Sequence, residues 1–217
     1  MQEIITLDGS SPEIIYLCEK DKRLAKVIKM IGPISYEIKH PEDAYAFLVH
    51  EIIEQMLSVK AGNAIYSRLK ELCKGTICPE IVSKLSYDEI KSIGTSGKKA
   101  QNIMSLTQAI LNKEFVIEQL YDLPDDQVMK RLIELRGIGS WTAKMFLIFV
   151  LNRNNILPYE DVAFLQSYQW LYKSKDRDIA AIKKKCKKWE PYSSIAARYL
   201  YRALDTGLTK EEFHLFK

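Results

Sequence analysis

Histidine is nearly absent from this chain. His40, His50 and His214 are the three among 217 residues, and no two of them share a short motif. That scarcity argues against a histidine-based catalytic triad and against a structural metal held by side chains. Cysteine is as sparse. Cys18, Cys73, Cys78 and Cys186 are scattered, and no CxxC pair occurs, which reads as reduced thiols of an intracellular protein, cytoplasmic or nuclear. Long hydrophobic runs are missing too. The longest, Met145 to Leu151, is far too short to cross a bilayer, and the first twenty residues lack the layout of a secretory signal. Charge of one sign does not dominate either: 32 Lys and Arg against 28 Asp and Glu leave a net charge of +4. So mild an excess points to a polyanionic partner only where the basic residues gather on one face. Strand-like alternation is also lacking. GPISYEI and NNILP are the only extended candidates, and both read as loops.

What is present is helical periodicity. DKRLAKVIKMI, Asp21 to Ile31, carries apolar residues at helical spacing and stops at Gly32-Pro33. Further helices are expected after Pro41 to about Leu57, from Ser58 towards Gly75, from Pro79 to Leu85, and after a capping box at Ser86–Glu89. Others follow at about Lys98–Asn112, Phe115–Tyr121, Pro124–Leu135, Trp141–Leu151, Asp161–Tyr172, Asp176–Lys188 and Tyr192–Leu204. The expected fold class is all-α, ten to twelve short helices forming one unit over 1–217, with a helical hairpin at about 124–151. Residues 1–20 carry the weakest pattern.

LRGIGSWTAKMFLIF, 135–149, joins two of these helices by a bare Gly-Ile-Gly turn. Glycine at 137 and 139 permits positive φ and leaves no side chain between backbone and ligand. The N–H groups at Gly139, Ser140 and Trp141 would open a helix, where phosphate oxygens are held by free N–H groups and the dipole. The carbonyls of Ile133, Leu135 and Ile138 can cup a monovalent cation. A plain connector between helices is the other reading, and the glycines alone do not choose. Asp161 lies 22 residues after Gly139, at the end of LPYED and ahead of an apolar helix. An Asp there is ordinarily an N-cap. KKKCKK at 183–188 is the one basic block, ordinarily a solvated helix face.

Taken in order, GIGSWTA at 137–143, LPYED at 157–161 and WEPYSSIAARYL at 189–200 resemble the helix-hairpin-helix (HhH-GPD) superfamily of DNA glycosylases, in its 3-methyladenine DNA glycosylase II (AlkA-like) form. IIEQMLSVKAGNAIYSRL at 52–69 and SIGTSGKKAQNI at 92–103 resemble two further blocks of that family. The similarity runs over about residues 20–208. One departure is Glu54, where the family commonly has Gly. Another is the N-terminal β-domain of larger members, so the chain resembles the compact form.

The resemblance implies two helical lobes with the active-site cleft between them, and a base excision repair enzyme acting on double-stranded DNA with alkylated bases as a monomer. Asp161 then stabilises an oxocarbenium-like transition state at C1′ and directs the attacking water. Trp141, Tyr201 and Tyr192 line the pocket for a flipped, cationic base; packing in the core is their alternative reading. Gly137, Gly139, Ser140, Thr142, Gln55, Met56 and Lys98 meet DNA, with Met56 as an apolar wedge in the vacated duplex. Lys99 and one or two lysines of the basic block are similar phosphate candidates. Bifunctional relatives carry a Schiff-base Lys where this chain has Trp141, so no lyase step is expected. No cofactor is implied beyond a structural Na+ or K+ at the hairpin; an iron–sulfur signature is absent. The rival readings are a non-catalytic hairpin DNA-binding module, an all-α interaction scaffold, and a glycosylase for hypoxanthine or uracil.

Overall fold

A computed structural model describes residues 3–175 and 177–215. They form two compact units. Unit 1 comprises residues 1–38 and 152–217, and unit 2 comprises residues 39–151. In chain order the elements are β1 (Ile4–Leu7), α1 (Pro12–Lys20), α2 (Lys22–Ile31), β2 (Ile34–Glu37), α3 (Pro41–Glu54), α4 (Val59–Leu72), α5 (Pro79–Val82), α6 (Tyr87–Ser92) and α7 (Gly97–Leu111). They continue with α8 (Asp125–Ile133), α9 (Ser140–Phe149), α10 (Val162–Tyr172), α11 (Ile179–Cys186) and α12 (Ser193–Asp205). None of the helices among the described residues is long and apolar enough to cross a membrane.

Local chemistry explains most of the helix starts. Side-chain oxygens of Asp21, Ser58, Ser96, Asp161 and Asp178 accept from first-turn N–H groups of α2, α4, α7, α10 and α11. Ser86 and Glu89 close a reciprocal capping box on α6. The expected helix start at Asp176 lies outside the described residues; α11 opens at Ile179, capped by Asp178.

Three expectations need correction. GPISYEI is not a loop: β2 pairs antiparallel with β1, Ile5 opposite Tyr36 and Leu7 opposite Ile34. Each strand has four residues, too few for alternation to register, and each finds its partner only in space. The helix expected to reach Leu57 ends at Glu54, because Gln55 leaves the helical region at ψ 125° and Met56 follows at φ 60°. The segment 115–121 forms only a 3-10 turn at Ile117–Tyr121.

Unit 1 buries Leu17, Leu24, Phe164, Tyr168, Trp189 and Tyr199 in one apolar cluster. α12 presents Ala196, Ala197 and Ala203, all fully buried, so neighbouring helices approach it closely. Into this cluster the chain places a carboxylate. Asp21 is 3% exposed. It accepts from the N–H groups of Arg23 and Leu24 at 3.0 and 3.3 Å, from Trp189 Nε1 at 2.9 Å and from the Tyr172 hydroxyl. Lys188 Nζ is paired with it at 2.9 Å. Trp189 is therefore a core residue whose indole N–H has a fixed acceptor. Unit 2 buries Leu48, Ile52, Leu69, Ile103, Phe146 and Leu147, with Phe47 edge-on to Phe146 at 6.1 Å.

Burial pushes the Asp21 pKa up, but the hydrogen bonds from Tyr172, Lys188 and Trp189 and the Lys188 charge outweigh it and hold the carboxyl below its ordinary value. A depressed carboxylate pKa stabilises the fold above the unfolded-state pKa, about 3.9 for Asp, and that contribution disappears as pH falls through the lower folded value. Asp21→Ala leaves the buried Tyr172 and Trp189 donors without their acceptor and removes the α2 cap. It should cost about 3–5 kcal/mol in urea unfolding at neutral pH. The difference from wild type should shrink below about pH 4. A pH-independent difference would mean that the ionised carboxylate is not the stabilising species.

Candidate active site

Unit 2 carries the hairpin and unit 1 carries Asp161. In the hairpin, α8 ends at Ile133 and α9 opens at Ser140. The two glycines have different reasons to be there. Gly137 sits at φ +88°, and a Cβ on it would run into the Asn102 side chain. The fold itself demands glycine at that position. Gly139 is extended, φ −102° and ψ 179°, a conformation open to any residue. A Cβ there would meet nothing within 4 Å. Folding does not require glycine at 139. A helix N-terminus presents N–H groups that the helix itself does not satisfy, and α9 has no side-chain cap. The similar turn IGTSGKKA differs on this point. Ser96 Oγ accepts from Lys99 N–H at 3.3 Å, so α7 caps itself.

The hairpin is braced by the α3–α4 turn. Gln55 Nε2 donates to the Gly137 carbonyl at 2.9 Å and reaches Thr142 Oγ1 at 3.4 Å. Thr142 is 1% exposed. Its hydroxyl therefore braces the turn and lies away from the surface, which corrects the expectation that it meets DNA. Gln55 likewise faces inward. Met56, next to it, is 101% exposed, a bare thioether on the outside of the turn. Lys99, expected as a phosphate candidate, is committed elsewhere: its ammonium donates to the carbonyls of Ile53 and Gln55 at 2.7 and 2.6 Å. It thereby stabilises the C-terminal end of α3. Lys98, one residue earlier, is exposed. Ser140 is exposed as well, and Trp141 is half-buried in the first turn of α9. Of the carbonyls expected to cup a cation, that of Leu135 accepts from Ile138 N–H at 3.1 Å. A carbonyl has a second lone pair, so this bond does not remove it from the set.

In unit 1, Asp161 is half-buried and caps α10 through Oδ1, 2.6 Å from Phe164 N. Glu160, the adjacent carboxylate, is exposed. The loop that delivers Asp161 is pinned to the start of α12. Ser194 Oγ accepts from Ile156 N–H at 2.8 Å and lies 3.1 Å from the Ile156 carbonyl. Ser194 N–H donates to Asn154 O at 2.9 Å. Two motifs 32 positions apart at Pro158 and Glu190 are thus one structure, a link that no local pattern displays. Tyr192 is half-buried, its ring edge-on to Tyr16 at 5.4 Å. Tyr201 is half-buried against the same apolar cluster. In the basic block, Lys185 and Lys188 lie over the Tyr172 ring at 4.4 and 5.1 Å, and Lys183 lies over Tyr159 at 5.3 Å. Lys184 and Lys187 are exposed on the same segment.

Residues 49–191 match the HhH-GPD superfamily of base excision DNA repair proteins. The chain belongs to that superfamily. It is similar to DNA-3-methyladenine glycosylase 1 of Schizosaccharomyces pombe, 29% identical over 207 residues that cover 93% of this chain and 90% of the relative. It is 28% identical to the putative DNA-3-methyladenine glycosylase YfjP of Bacillus subtilis over 74% of this chain, and spans 59% of that relative's length. The solved structure of a DNA-3-methyladenine glycosidase from Bacillus halodurans superposes with a TM-score of 0.81, at 30% identity over 97% of each chain. The superfamily's helical fold and its hairpin are therefore those described above, and the chain is a base excision DNA repair protein.

The two glycines give opposite expectations. Gly137→Ala should destabilise unit 2 by about 1–2 kcal/mol from backbone strain alone, with the Asn102 clash added. Gly139→Ser should leave the thermal midpoint unchanged or raised, since Ser is a preferred N-cap. The same change should weaken binding to damaged and undamaged duplexes alike in fluorescence anisotropy. Wild-type affinity in the Gly139 variant would reduce the turn to a connector.

Proposed function

We propose that this chain is a monofunctional DNA glycosylase that excises alkylated purines, 3-methyladenine and 7-methylguanine, from double-stranded DNA and leaves an abasic site. The observation that carries the reading is Asp161, a half-buried carboxylate at the matching motif position, delivered by a loop that Ser194 holds to α12. The bond to be broken joins C1′ to a base nitrogen, and its transition state carries positive charge on the sugar. A fixed carboxylate stabilises that charge and directs a water to C1′. The names of the similar proteins point to the same class of damaged base.

The remaining roles follow by residue type. The N-terminus of α9, where Gly139 supplies no side-chain cap, and the open space at Gly139 suit a phosphate of the DNA backbone. A Na+ or K+ on the carbonyls of Ile133, Leu135 and Ile138 would add positive charge beside it. Met56, exposed and apolar, suits the gap left by a flipped base. Trp141, with Tyr201 and Tyr192, offers aromatic faces to a base with delocalised positive charge, a contact worth roughly 0.5–2 kcal/mol. Alkylation itself weakens the glycosidic bond, so little protonation of the leaving base is needed.

Asp161→Asn is the decisive variant. Asn keeps an acceptor for Phe164 N–H and is itself a favoured N-cap, so the fold should survive with duplex affinity intact. Single-turnover release of free bases from methylated DNA should fall by about two to four orders of magnitude. In wild type the released bases should be chiefly 3-methyladenine and 7-methylguanine, with hypoxanthine and uracil far behind. Near-wild-type turnover in the Asn variant would refute the mechanism.

Trp141 also removes the amine a lyase needs at this point of the hairpin. Borohydride added during turnover should trap no covalent protein–DNA adduct. A trapped adduct would identify another amine, Lys144 first, as a Schiff-base former.

A further inference from the structure

The surroundings of Glu54 are unusual. His50 and Glu54 lie four residues apart on one face of α3. Glu51 adjoins them, and Asn63 faces them from α4. His50, Glu51 and Glu54 bring one ligand atom each within 4.8 Å of one another. Glu51 is a carboxylate with a side chain 9% exposed, and its Oε2 has no hydrogen-bond partner. A buried carboxylate oxygen left so is costly.

The distances bear on two explanations. An imidazolium clamped by two carboxylates would hold them at about 2.7–2.9 Å. Instead His50 Nδ1 is 3.8 Å from Glu51 Oε1, and Nε2 is 3.6 Å from Glu54 Oε1. Nε2 also donates a hydrogen bond to Asn63 Oδ1 at 3.2 Å. Atoms that share a small cation at about 2.1 Å in tetrahedral geometry stand roughly 3.4 Å apart. Both distances around Nε2 are compatible with ligands about a common ion, which would take the place of the proton shared with Asn63. Glu51 Oε1 stands 3.8 Å from the other ring nitrogen, Nδ1, beyond hydrogen-bond reach but on the side from which carboxylates orient metal-bound histidines.

The backbone makes room for this arrangement. A Cβ on Gly62 would lie 2.6 Å from Glu54 Cγ and 3.0 Å from its Oε1, so glycine on α4 is what lets the Glu54 stem cross between the helices. Tyr66 packs edge-on to the His50 ring at 4.6 Å and fixes its plane.

We infer that the α3–α4 corner of unit 2 is a divalent-cation site, with His50 Nε2, Glu54 and Asn63 Oδ1 as protein ligands and Glu51 as the positioning residue behind His50. One imidazole nitrogen with carboxylate and amide oxygens favours Zn2+ or Mn2+ over soft or monovalent ions. Waters complete the shell. The ion would tie α3 to α4 on either side of the turn that carries Gln55 and Met56, and so stiffen the segment that braces the hairpin.

The test uses the full chain after chelation and dialysis, titrated calorimetrically with ZnCl2 and with MnCl2, and followed by thermal unfolding. CoCl2 serves as an optical probe through its visible absorption. Wild type should bind one ion and gain thermal stability. Glu51→Gln should weaken binding by about ten- to hundredfold, and Glu54→Gln by at least as much. His50→Ala should abolish it. Glu54→Gln and Glu51→Gln are near-isosteric, so these two variants decide the matter if His50→Ala folds poorly. Failure of wild type to bind overturns the inference. So does binding that these variants leave unchanged, which would assign the ion to exposed histidines or to cysteine thiols. Neither result touches the glycosylase reading, which Asp161 tests separately.

Discussion

One buried carboxylate closes unit 1. Asp21 cannot remain charged in an apolar cluster without donors, and its donors come from distant parts of the chain: the start of α2, Tyr172 at the end of α10, and Lys188 and Trp189 after α11. The requirement to satisfy a single ion therefore joins the N-terminal helices to the C-terminal ones. α10 is held at both ends by carboxylates, Asp161 capping its first turn and Asp21 receiving the hydroxyl of its last residue. The position of the proposed catalytic group is thus set by two charge-assisted bonds at the ends of one rigid helix. A site built this way tolerates little movement, which is what stabilising charge at one sugar carbon requires.

Unit 2 solves a different problem, that of holding two turns in register. Gln55 reaches from the α3–α4 turn to the hairpin, and Lys99 reaches from α7 to the carbonyls before that turn. Burial lowers the Lys99 pKa, yet the two carbonyls it serves give the ammonium a place. Polar side chains of types usually assigned to DNA contact are here the scaffold. Met56 faces solvent, and Leu57 and Val59 beside it are exposed as well.

The two similar glycine turns show how small a difference separates scaffold from site. α7 begins with Ser96, whose hydroxyl satisfies its own helix; α9 begins with Gly139, which offers no such group. One hydroxyl at the N-cap position is what separates a helix that caps itself from one that does not. The cation corner on α3 has the same character. Glu54 and Gly62 are complementary in shape, and neither residue alone suggests a ligand.

Everything governed by short range was legible in the chain before folding. Helical spacing, Pro and Gly stops, the Ser86–Glu89 box and the Asp161 cap depend on residues within four positions of each other, and the helices stand close to where those signals lie. The order of GIGSWTA, LPYED and WEPYSSIAARYL is likewise a property of the linear chain. Tertiary contact decided the rest. β1 and β2 are too short to declare themselves without each other, and Thr142 and Lys99 look exposed until Gln55 and the end of α3 are brought to them. Asp21 reads as a helix cap until Tyr172 and Trp189 arrive. Likewise Ser194 is one serine among many until the chain folds it against the Asp161 loop. A side chain's local propensity depends on its neighbours in sequence, but whether it faces solvent, a partner or an ion depends on which distant element packs over it.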